Sequence, residues 1–171
     1  MFDRLDALIG IENRTKLFNK TVVVIGVGGV GGYAVESLVR SGIGHVVLID
    51  HDTIDISNKN RQLIALNTTI GMKKVDAFKK RILDINDECQ VDIHDVFLTQ
   101  DNINLLDLYK IDYLIDACDT ISTKKAIIDK CYKDAKRIIL EHRDVLDKCA
   151  ELLLEKEKIT REEFEALFVQ N

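Results

Sequence analysis

The chain has 171 residues and a formal net charge of −5, with 46% hydrophobic and 31% charged residues. This length suits one main domain with an appendage, and the balanced composition excludes wholesale disorder and a fibrous structure. Charges of both signs are interspersed, so no long-range field would by itself recruit nucleic acid.

The N-terminal sequence predicts a cytoplasmic protein without a membrane segment. The charge-free stretch at residues 21–35 is too short and too rich in glycine to cross a bilayer. Acidic residues stand where a signal peptide would carry basic ones. The cysteines are scattered without a C-x-x-C pair, so we expect reduced thiols and neither a zinc site nor a disulfide framework.

Hydrophobic periodicity predicts strands that alternate with helices over the first 117 residues. The predicted elements are short helices at 1–19, strand one at 21–25, a glycine turn at 26–32, a helix at 30–41, strand two at 45–50, a helix at 72–86, strand three at 90–98, a helical segment at 102–108 and strand four at 112–117. This alternation indicates a Rossmann-like, doubly wound α/β fold with a parallel sheet of about four strands.

Three strand ends are expected to meet at one crevice. In a doubly wound fold the ligand lies beyond the carboxyl ends of the strands. Gly26, Asp50 and Asp116 each fall at such an end. We therefore expect these three residues to lie close together around a ligand.

The glycine turn predicts a nucleotide. Gly26, Gly28 and Gly31 satisfy G-x-G-x-x-G between a strand and a helix, where bare backbone lets a phosphate approach the helix N-terminus. Asp50 ends strand two, where an acid would accept hydrogen bonds from the ribose hydroxyls of an adenosine-type ligand. The alternative is that the glycines only permit close packing of the helix on the strand.

The fingerprint does not distinguish NAD from ATP, and three further residues favour ATP. Arg61 and Lys74 add cationic donors that suit a triphosphate, and Asp119 is an oxygen ligand of the kind that Mg²⁺ takes. Each residue taken alone has another interpretation. Lys74 would then be a solvated helix lysine and Arg61 a surface ion pair, and Asp116 a cap.

Taken in chain order, "GVGGVGG", "LIDHD", "NRQ", Lys74 and "DACD" resemble the ThiF/MoeB/HesA superfamily of ATP-dependent adenylating enzymes over residues 1 to about 130. This superfamily includes the ubiquitin-activating enzymes. Within it, "RSGIGHVVLIDHDTIDISNKNRQLIAL" and "DACDTISTKKAIIDKC" are most similar to the bacterial family of tRNA threonylcarbamoyladenosine dehydratases. That resemblance implies that ATP adenylates the threonyl carboxylate of a modified adenosine in tRNA, and that ring closure then expels AMP.

The resemblance also implies roles for individual residues. The glycines, Arg61 and Lys74 would bind phosphates, and Asp119 would bind Mg²⁺. The residues implied to form the nucleotide site are Gly26, Gly28, Gly29, Gly31, Asp50, Asp52, Asn58, Asn60, Arg61, Gln62, Lys74 and Asp116. Arg4 matches an arginine that family dimers offer to the ATP of the neighbouring subunit, which implies a homodimer. Cys118 is expected to be a buried thiol and not a nucleophile.

From about residue 131 the sequence departs from the family pattern and resembles the C-terminal helical segment of FtsH-type AAA proteases. We therefore expect residues 1–130 to hold the N-terminal, ATP-binding half of the family fold, with strand four as an exposed edge unless the tail or another chain covers it. Residues 131–171 would form an amphipathic helical tail that seeks a partner. If the helix that begins at Ser122 runs on to Lys158, it is longer than the body of the domain and must protrude, fold back or pair. A second short helix, capped by Thr160 and Glu163, is expected from there to about Val169.

Several functions stay open at the level of the sequence. The chain is either an adenylating enzyme acting on tRNA and impaired by truncation, or an inactive nucleotide-binding or interaction module. Activation of a ubiquitin-like or sulfur-carrier protein is also compatible with these motifs, and so is an NAD-dependent oxidation. The basic residues Lys73, Lys74, Lys79, Lys80 and Arg81 would either meet tRNA phosphates or form a solvated helix face.

Overall fold

Four parallel strands form one sheet in the computed structural model, which describes residues 1–107 and 110–168. The chain divides into an α/β unit, residues 1–127, and a helical unit from residue 128 onward. The elements in chain order are α1 (Asp3–Ile9), α2 (Ile11–Phe18), β1 (Thr21–Ile25), α3 (Gly29–Arg40), β2 (His45–Ile49), a 3-10 turn (Ile56–Asn58), α4 (Lys74–Ile85), β3 (Gln90–His94), a second 3-10 turn (Ile103–Leu105), β4 (Tyr113–Asp116), α5 (Ile121–Glu141), α6 (Arg143–Lys156) and α7 (Arg161–Ala166).

The strand order is β3-β2-β1-β4, which confirms the predicted doubly wound parallel fold. Ile25 at the end of β1 is in register with Ile49 of β2 and with Asp116 of β4, so three carboxyl ends lie side by side. Among the described residues β4 pairs only with β1, and it is therefore an edge strand, as expected.

Helices cover both faces of the sheet because alternate residues of β1 belong to two apolar clusters. Val22 and Val24 pack in a cluster with Val35 of α3 and Phe78 of α4. Val23 and Ile25 pack in a second cluster, which also holds Leu98, Ile103, Leu106, Ala126 and Ile127. A strand buried on both faces reads as a continuous β-branched run, which explains the sequence of β1.

Strand three is shorter than predicted. The alternating pattern predicts a strand over residues 90–98, but β3 ends at His94. Leu98 is buried in the second apolar cluster, so the chain leaves the sheet to cover that face. The helical segment predicted at 102–108 is a 3-10 turn at Ile103–Leu105, and Leu108 lies outside the described residues.

The helical unit differs from the predicted pair of helices at one point. The stretch from Ser122 to Lys158, considered above as one possible helix, is divided at His142, which separates α5 from α6 and packs its ring edge-on against Phe168. The capping box of α7 is present as predicted, since Thr160 Oγ1 accepts from Glu163 N and Glu163 Oε2 accepts from Thr160 N. The expected end of α7, Val169, lies outside the described residues. None of the described helices combines the length and the apolar character needed to span a membrane.

Candidate nucleotide-binding site

A cavity of about 560 Å³ lies at the carboxyl ends of the strands. Ten residues predicted for the nucleotide site line it, namely Gly26, Gly28, Gly29, Asp50, Asp52, Asn58, Arg61, Gln62, Lys74 and Asp119. They come from the turn after β1, the loop after β2, the start of α4 and the loop after β4. The parallel sheet brings these segments together because it aligns its strand ends, which is the reason for the convergence expected from sequence.

The glycine motif divides into packing positions and cavity positions. Gly26 has φ +81°, and a Cβ there would lie 2.9 Å from the Ala117 carbonyl oxygen. A Cβ on Gly31 would lie 1.8 Å from the Gly26 carbonyl oxygen, and Gly31 does not line the cavity. A Cβ on Gly28 or Gly29 would meet nothing closer than 3.6 Å. Close packing therefore explains Gly31, whereas Gly28 and Gly29 keep bare backbone at the cavity.

The N-terminus of α3 points backbone N–H groups at this cavity. The helix begins at Gly29, and its N-cap residue Gly28 makes no side-chain cap hydrogen bond. The first N–H groups of a helix have no partner within the helix, and the helix dipole adds positive potential there. This end of α3 is therefore suited to a phosphate.

Asp50 joins the two loops that follow β1 and β2. The residue is 8% exposed, and Oδ2 accepts from Val27 N at 2.8 Å while Oδ1 accepts from Asp52 N at 2.8 Å. These bonds fix the carboxylate at the cavity wall. A carboxylate has about four lone-pair sites, so capacity remains for hydroxyl donors of a ligand.

Lys74 is a buried cation at the first residue of α4. It is 5% exposed, and its Nζ lies 2.5 Å from Asp52 Oδ2. A positive charge at a helix N-terminus is unfavourable, and Asp52 compensates it. Burial acts to raise the pKa of Asp52, but the hydrogen bond and charge of Lys74 outweigh it, so this pKa lies below its ordinary value. The burial excludes the interpretation of Lys74 as a solvated helix lysine.

Arg61 and Gln62 follow the first 3-10 turn, and each has a polar group that is available to a ligand. Arg61 Nη1 donates to Ser57 O and to Asn60 Oδ1, both at 3.0 Å, and no carboxylate of the described residues pairs with it. Gln62 is 8% exposed, and within the described part of the chain its Oε1 has no hydrogen-bond partner. A buried orphan acceptor is costly, which indicates that a ligand supplies the donor.

Besides Gly31, three predicted residues lie outside the cavity lining. Asn60 orients Arg61 from the solvent side. Asp116 accepts from Lys124 Nζ at 2.9 Å and from Cys118 N at 3.2 Å, so it organises the start of α5. Arg4 is exposed on α1. The roles predicted for these residues, like those of the cavity residues, stay predictions.

One single carboxylate and one cluster of three residues are candidate ligands for a metal ion. Asp119 is exposed at the cavity, and its Oδ1 accepts from Thr120 Oγ1 at 3.4 Å. Ligand atoms of Asp50, His51 and Asp52 lie within 4.8 Å of one another, a set that sequence analysis does not single out. However, Asp50 already binds two backbone N–H groups and Asp52 pairs with Lys74. Asp119 is therefore the less engaged carboxylate.

Sequence reasoning misses one wall of the cavity. Val96, Phe97 and Leu98 line it, together with His51, Thr53, Asp55, Thr120 and Thr123. The alternation of apolar and polar residues continues past the true end of strand three. The sequence therefore does not show that the strand ends early and that residues 96–98 lie at the crevice.

Cys118 is half-buried and lines the cavity, so the expectation of a buried thiol is wrong. Burial and the neighbouring Asp116 carboxylate raise the pKa of Cys118 above its ordinary value. A thiol held in its protonated form is a poor nucleophile. The expectation that Cys118 is not a nucleophile is thus consistent with its surroundings.

The basic residues around α4 do not form one cationic face. Lys74 lies in the cavity, Lys73 Nζ is 3.0 Å from Asp95 Oδ1, and Arg81 pairs with Glu36 at 2.7 Å. Lys79 is half-buried and Lys80 is exposed. The structure therefore favours the solvated-face interpretation over a phosphate-binding cluster.

The fold and cavity define the class, a Rossmann-like α/β protein with a candidate nucleotide site. The model of the ThiF family matches residues 2–141, and the chain belongs to this family. That match extends beyond residue 131, where sequence analysis placed the departure from the family. The comparisons give no support to the expected likeness of the tail to FtsH-type proteases.

The comparisons also identify individual similar proteins. The chain is 48% identical over 132 residues to tRNA threonylcarbamoyladenosine dehydratase of Bacillus subtilis, covering 77% of this chain and 52% of that protein. It is 33% identical over 124 residues to adenylyltransferase and sulfurtransferase MOCS3 of Culex quinquefasciatus, covering 72% of this chain and 28% of that protein. The crystal structure of Escherichia coli tRNA N6-threonylcarbamoyladenosine dehydratase, TcdA, in complex with ATP matches with a TM-score of 0.75 and 36% identity, covering 78% of this chain and 55% of that one. The chain thus spans about half the length of the dehydratases that it matches.

Proposed function

We propose that this chain binds ATP in the cavity and acts as an ATP-dependent adenylating enzyme on tRNA, of the tRNA threonylcarbamoyladenosine dehydratase type. The observation that carries the proposal is the convergence of three phosphate-binding features on one cavity. These features are the uncapped N-terminus of α3, the buried Lys74 and the guanidinium of Arg61. The likeness to an ATP complex of a protein with that name supports the same ligand.

The proposed reaction needs positioning and charge neutralisation and no nucleophilic side chain. A carboxylate oxygen of the threonylcarbamoyl group attacks the α-phosphorus of ATP, and pyrophosphate leaves. Ring closure at the activated carbonyl then expels AMP. Cations and N–H groups fixed around the phosphates stabilise the charge that develops, and alignment of the two reactants lowers the barrier further.

The residues at the cavity fit Mg²⁺. Asp119 supplies an exposed carboxylate, and this hard cation prefers oxygen ligands while it keeps several waters. When bound, the ion would neutralise part of the negative charge on the phosphates of ATP. Asp119 is the residue that we expect to hold it.

A homodimer in the cytoplasm completes the proposal. Arg4 lies exposed on α1 and outside the cavity lining, which fits a side chain that serves the ATP of a neighbouring subunit. The helical unit carries exposed apolar side chains, such as Leu154 at 87% exposure, that suit a helical partner. Analytical ultracentrifugation and an Arg4→Ala variant would test the dimer.

The central experiment measures nucleotide binding and AMP release in the same preparation. Calorimetric titration with ATP and Mg²⁺ comes first, followed by incubation with tRNA that carries threonylcarbamoyladenosine and, as control, with tRNA that lacks it. We expect ATP to bind in preference to NAD, and AMP to form only with the modified tRNA. Binding of ATP without AMP release would indicate an inactive nucleotide-binding module, and preference for NAD would refute the proposal.

A second candidate function is activation of a ubiquitin-like or sulfur-carrier protein through its terminal carboxylate. The similarity to the adenylyltransferase and sulfurtransferase MOCS3 favours it. Exchange of radiolabelled pyrophosphate into ATP, measured with such a carrier protein and with modified tRNA, would separate the two acceptors.

A further inference from the structure

A reciprocal hydrogen-bonded cap builds the turn that precedes Arg61. Asp55 stands at the N-cap of the 3-10 turn Ile56–Asn58, and its Oδ1 accepts from Ser57 N at 2.8 Å. In return, Asn58 Oδ1 accepts from Asp55 N at 3.0 Å. Two side chains thus satisfy backbone N–H groups that the short turn would otherwise leave unpaired.

The same turn holds the two cavity residues that follow it. The carbonyl oxygen of Asn58 accepts from Arg61 N at 3.1 Å and from Gln62 N at 2.9 Å. The guanidinium of Arg61 donates to Ser57 O at 3.0 Å. A shift of the turn would therefore displace the Arg61 cation and the orphan oxygen of Gln62 together.

The charge of Asp55 is poorly suited to contact with an anionic ligand. Asp55 lines the cavity, and hydrogen bonds from Ser57 hold its pKa below the ordinary value, so its carboxylate is ionised at neutral pH. A carboxylate repels phosphates across any short distance. Its hydrogen bonds to the turn, rather than its charge, therefore explain its presence at this wall.

We propose that Asp55 is a positioning residue for ATP, which acts through Arg61 and Gln62 by capping the turn and does not itself contact the nucleotide. This inference rests on the proposed binding of ATP. Asp55 belongs to none of the features already assigned to the nucleotide, namely the glycine motif, the cations and the acid after strand two. The inference gives this residue a function.

The test compares Asp55→Ala with Asp55→Ser and Asp55→Asn in the full chain, using titrations with ATP and with adenosine. Alanine cannot cap, and we expect about a tenfold weaker affinity for ATP, which corresponds to about 1.4 kcal/mol. The affinity for adenosine should fall less, since adenosine has no phosphate group for the Arg61 guanidinium to bind. Serine and asparagine are good N-cap residues and should restore most of the ATP affinity. Asp87→Ala, an exposed aspartate outside the cavity, is the matched control and should leave affinity unchanged.

The outcomes separate this inference from the proposed function. If Asp55→Ser binds ATP as weakly as Asp55→Ala, the carboxylate itself is needed and the capping role is wrong. Unchanged ATP affinity in Asp55→Ala, or an equal loss for adenosine and ATP, also overturns the inference while ATP binding stands. A wild-type chain that binds no ATP refutes the proposed function as well. Circular dichroism of each variant shows whether it folds, and the serine variant carries the test if the alanine variant does not.

Discussion

The α/β unit and the helical unit are stabilised in different ways. In the α/β unit, the strand residues Val22–Ile25 are at most 2% exposed and lie between two apolar clusters. Val145 and Leu167 are the buried apolar residues in the described part of the helical unit. That unit instead carries surface ion pairs at i,i+4 spacing, such as Arg143 with Asp147 and Arg161 with Glu165. Each such pair contributes only about 0.3–0.5 kcal/mol.

This difference explains why the candidate nucleotide site lies in the α/β unit. A close-packed sheet holds its strand ends rigidly, and side chains that follow those ends keep fixed positions. Every residue that lines the cavity belongs to the α/β unit. We therefore expect changes in the sheet and its loops to affect folding and nucleotide binding strongly, and changes in the helical unit to act locally.

Gly31→Ala should give the largest effect, a loss of about 3 kcal/mol in the free energy of unfolding. The added Cβ would lie 1.8 Å from the Gly26 carbonyl oxygen, so backbone would have to move. We expect the melting temperature to fall by about 6–12 °C in thermal unfolding. Gly29→Ala is the matched control, because its Cβ would meet nothing within 3.6 Å and alanine favours the helix. An equal loss in both variants would contradict the division of the motif.

Lys74→Met should weaken ATP binding by about 2–3 kcal/mol, roughly 30- to 150-fold, because a charge-assisted hydrogen bond to phosphate is lost. Lys156→Met is the control in the helical unit, since Lys156 also pairs with a carboxylate, that of Glu163, at 2.7 Å. It should leave ATP affinity unchanged in calorimetric titration. A comparable loss in both variants would show that the helical unit contributes to the site.

Thr160→Ala should lower the stability of the start of α7 by about 1 kcal/mol, because it removes one half of a capping box. Hydrogen exchange of the amide of Glu163 should accelerate, while amides of β1 stay protected. Thr160→Ser, which keeps the cap, should exchange like the wild type. Faster exchange in β1 would mean that the two units do not unfold separately.

Acid pH should produce the smallest effect, through Glu36. The hydrogen bond from Arg81 holds the pKa of Glu36 below its ordinary value of 4.5, which outweighs the opposing effect of burial. A depressed folded-state pKa means that the ion pair stabilises fully above about pH 4.5 and loses this contribution as pH falls further. We expect Glu36→Gln to reduce the acid-induced loss by about 0.5–1 kcal/mol in unfolding measured near pH 5 and near pH 3. Parallel curves for variant and wild type would contradict this.

The elements whose sequence signals are local could be predicted. The β-branched runs predict β1 and β2, and the Thr160–Glu163 pair predicts the start of α7, because each signal depends on neighbouring residues. The end of β3 and the break at His142 depend on tertiary packing. Leu98 leaves the alternating pattern to fill a cluster against α5, and no local pattern announces this.

The candidate site shows the same limit. The spacing of Gly28, Asp50 and Lys74 places them at strand and helix ends, so their convergence follows from the fold alone. The pairing of Lys74 with Asp52 and the unpaired oxygen of Gln62 depend on the tertiary structure, and no local pattern predicts them. The capping role of Asp55 has a local signal, an aspartate three residues before an asparagine, which is easily overlooked beside the glycine motif.

Asp50 links the loops after β1 and β2, since its carboxylate accepts a hydrogen bond from a backbone N–H group of each loop. We expect a displacement of either loop to act on the other through this shared carboxylate. A hydroxyl that binds this carboxylate would restrain both loops at once, and the amides of Val27 and Asp52 would slow their solvent exchange in concert. Asp50 thus couples the two loops at the rim of the cavity.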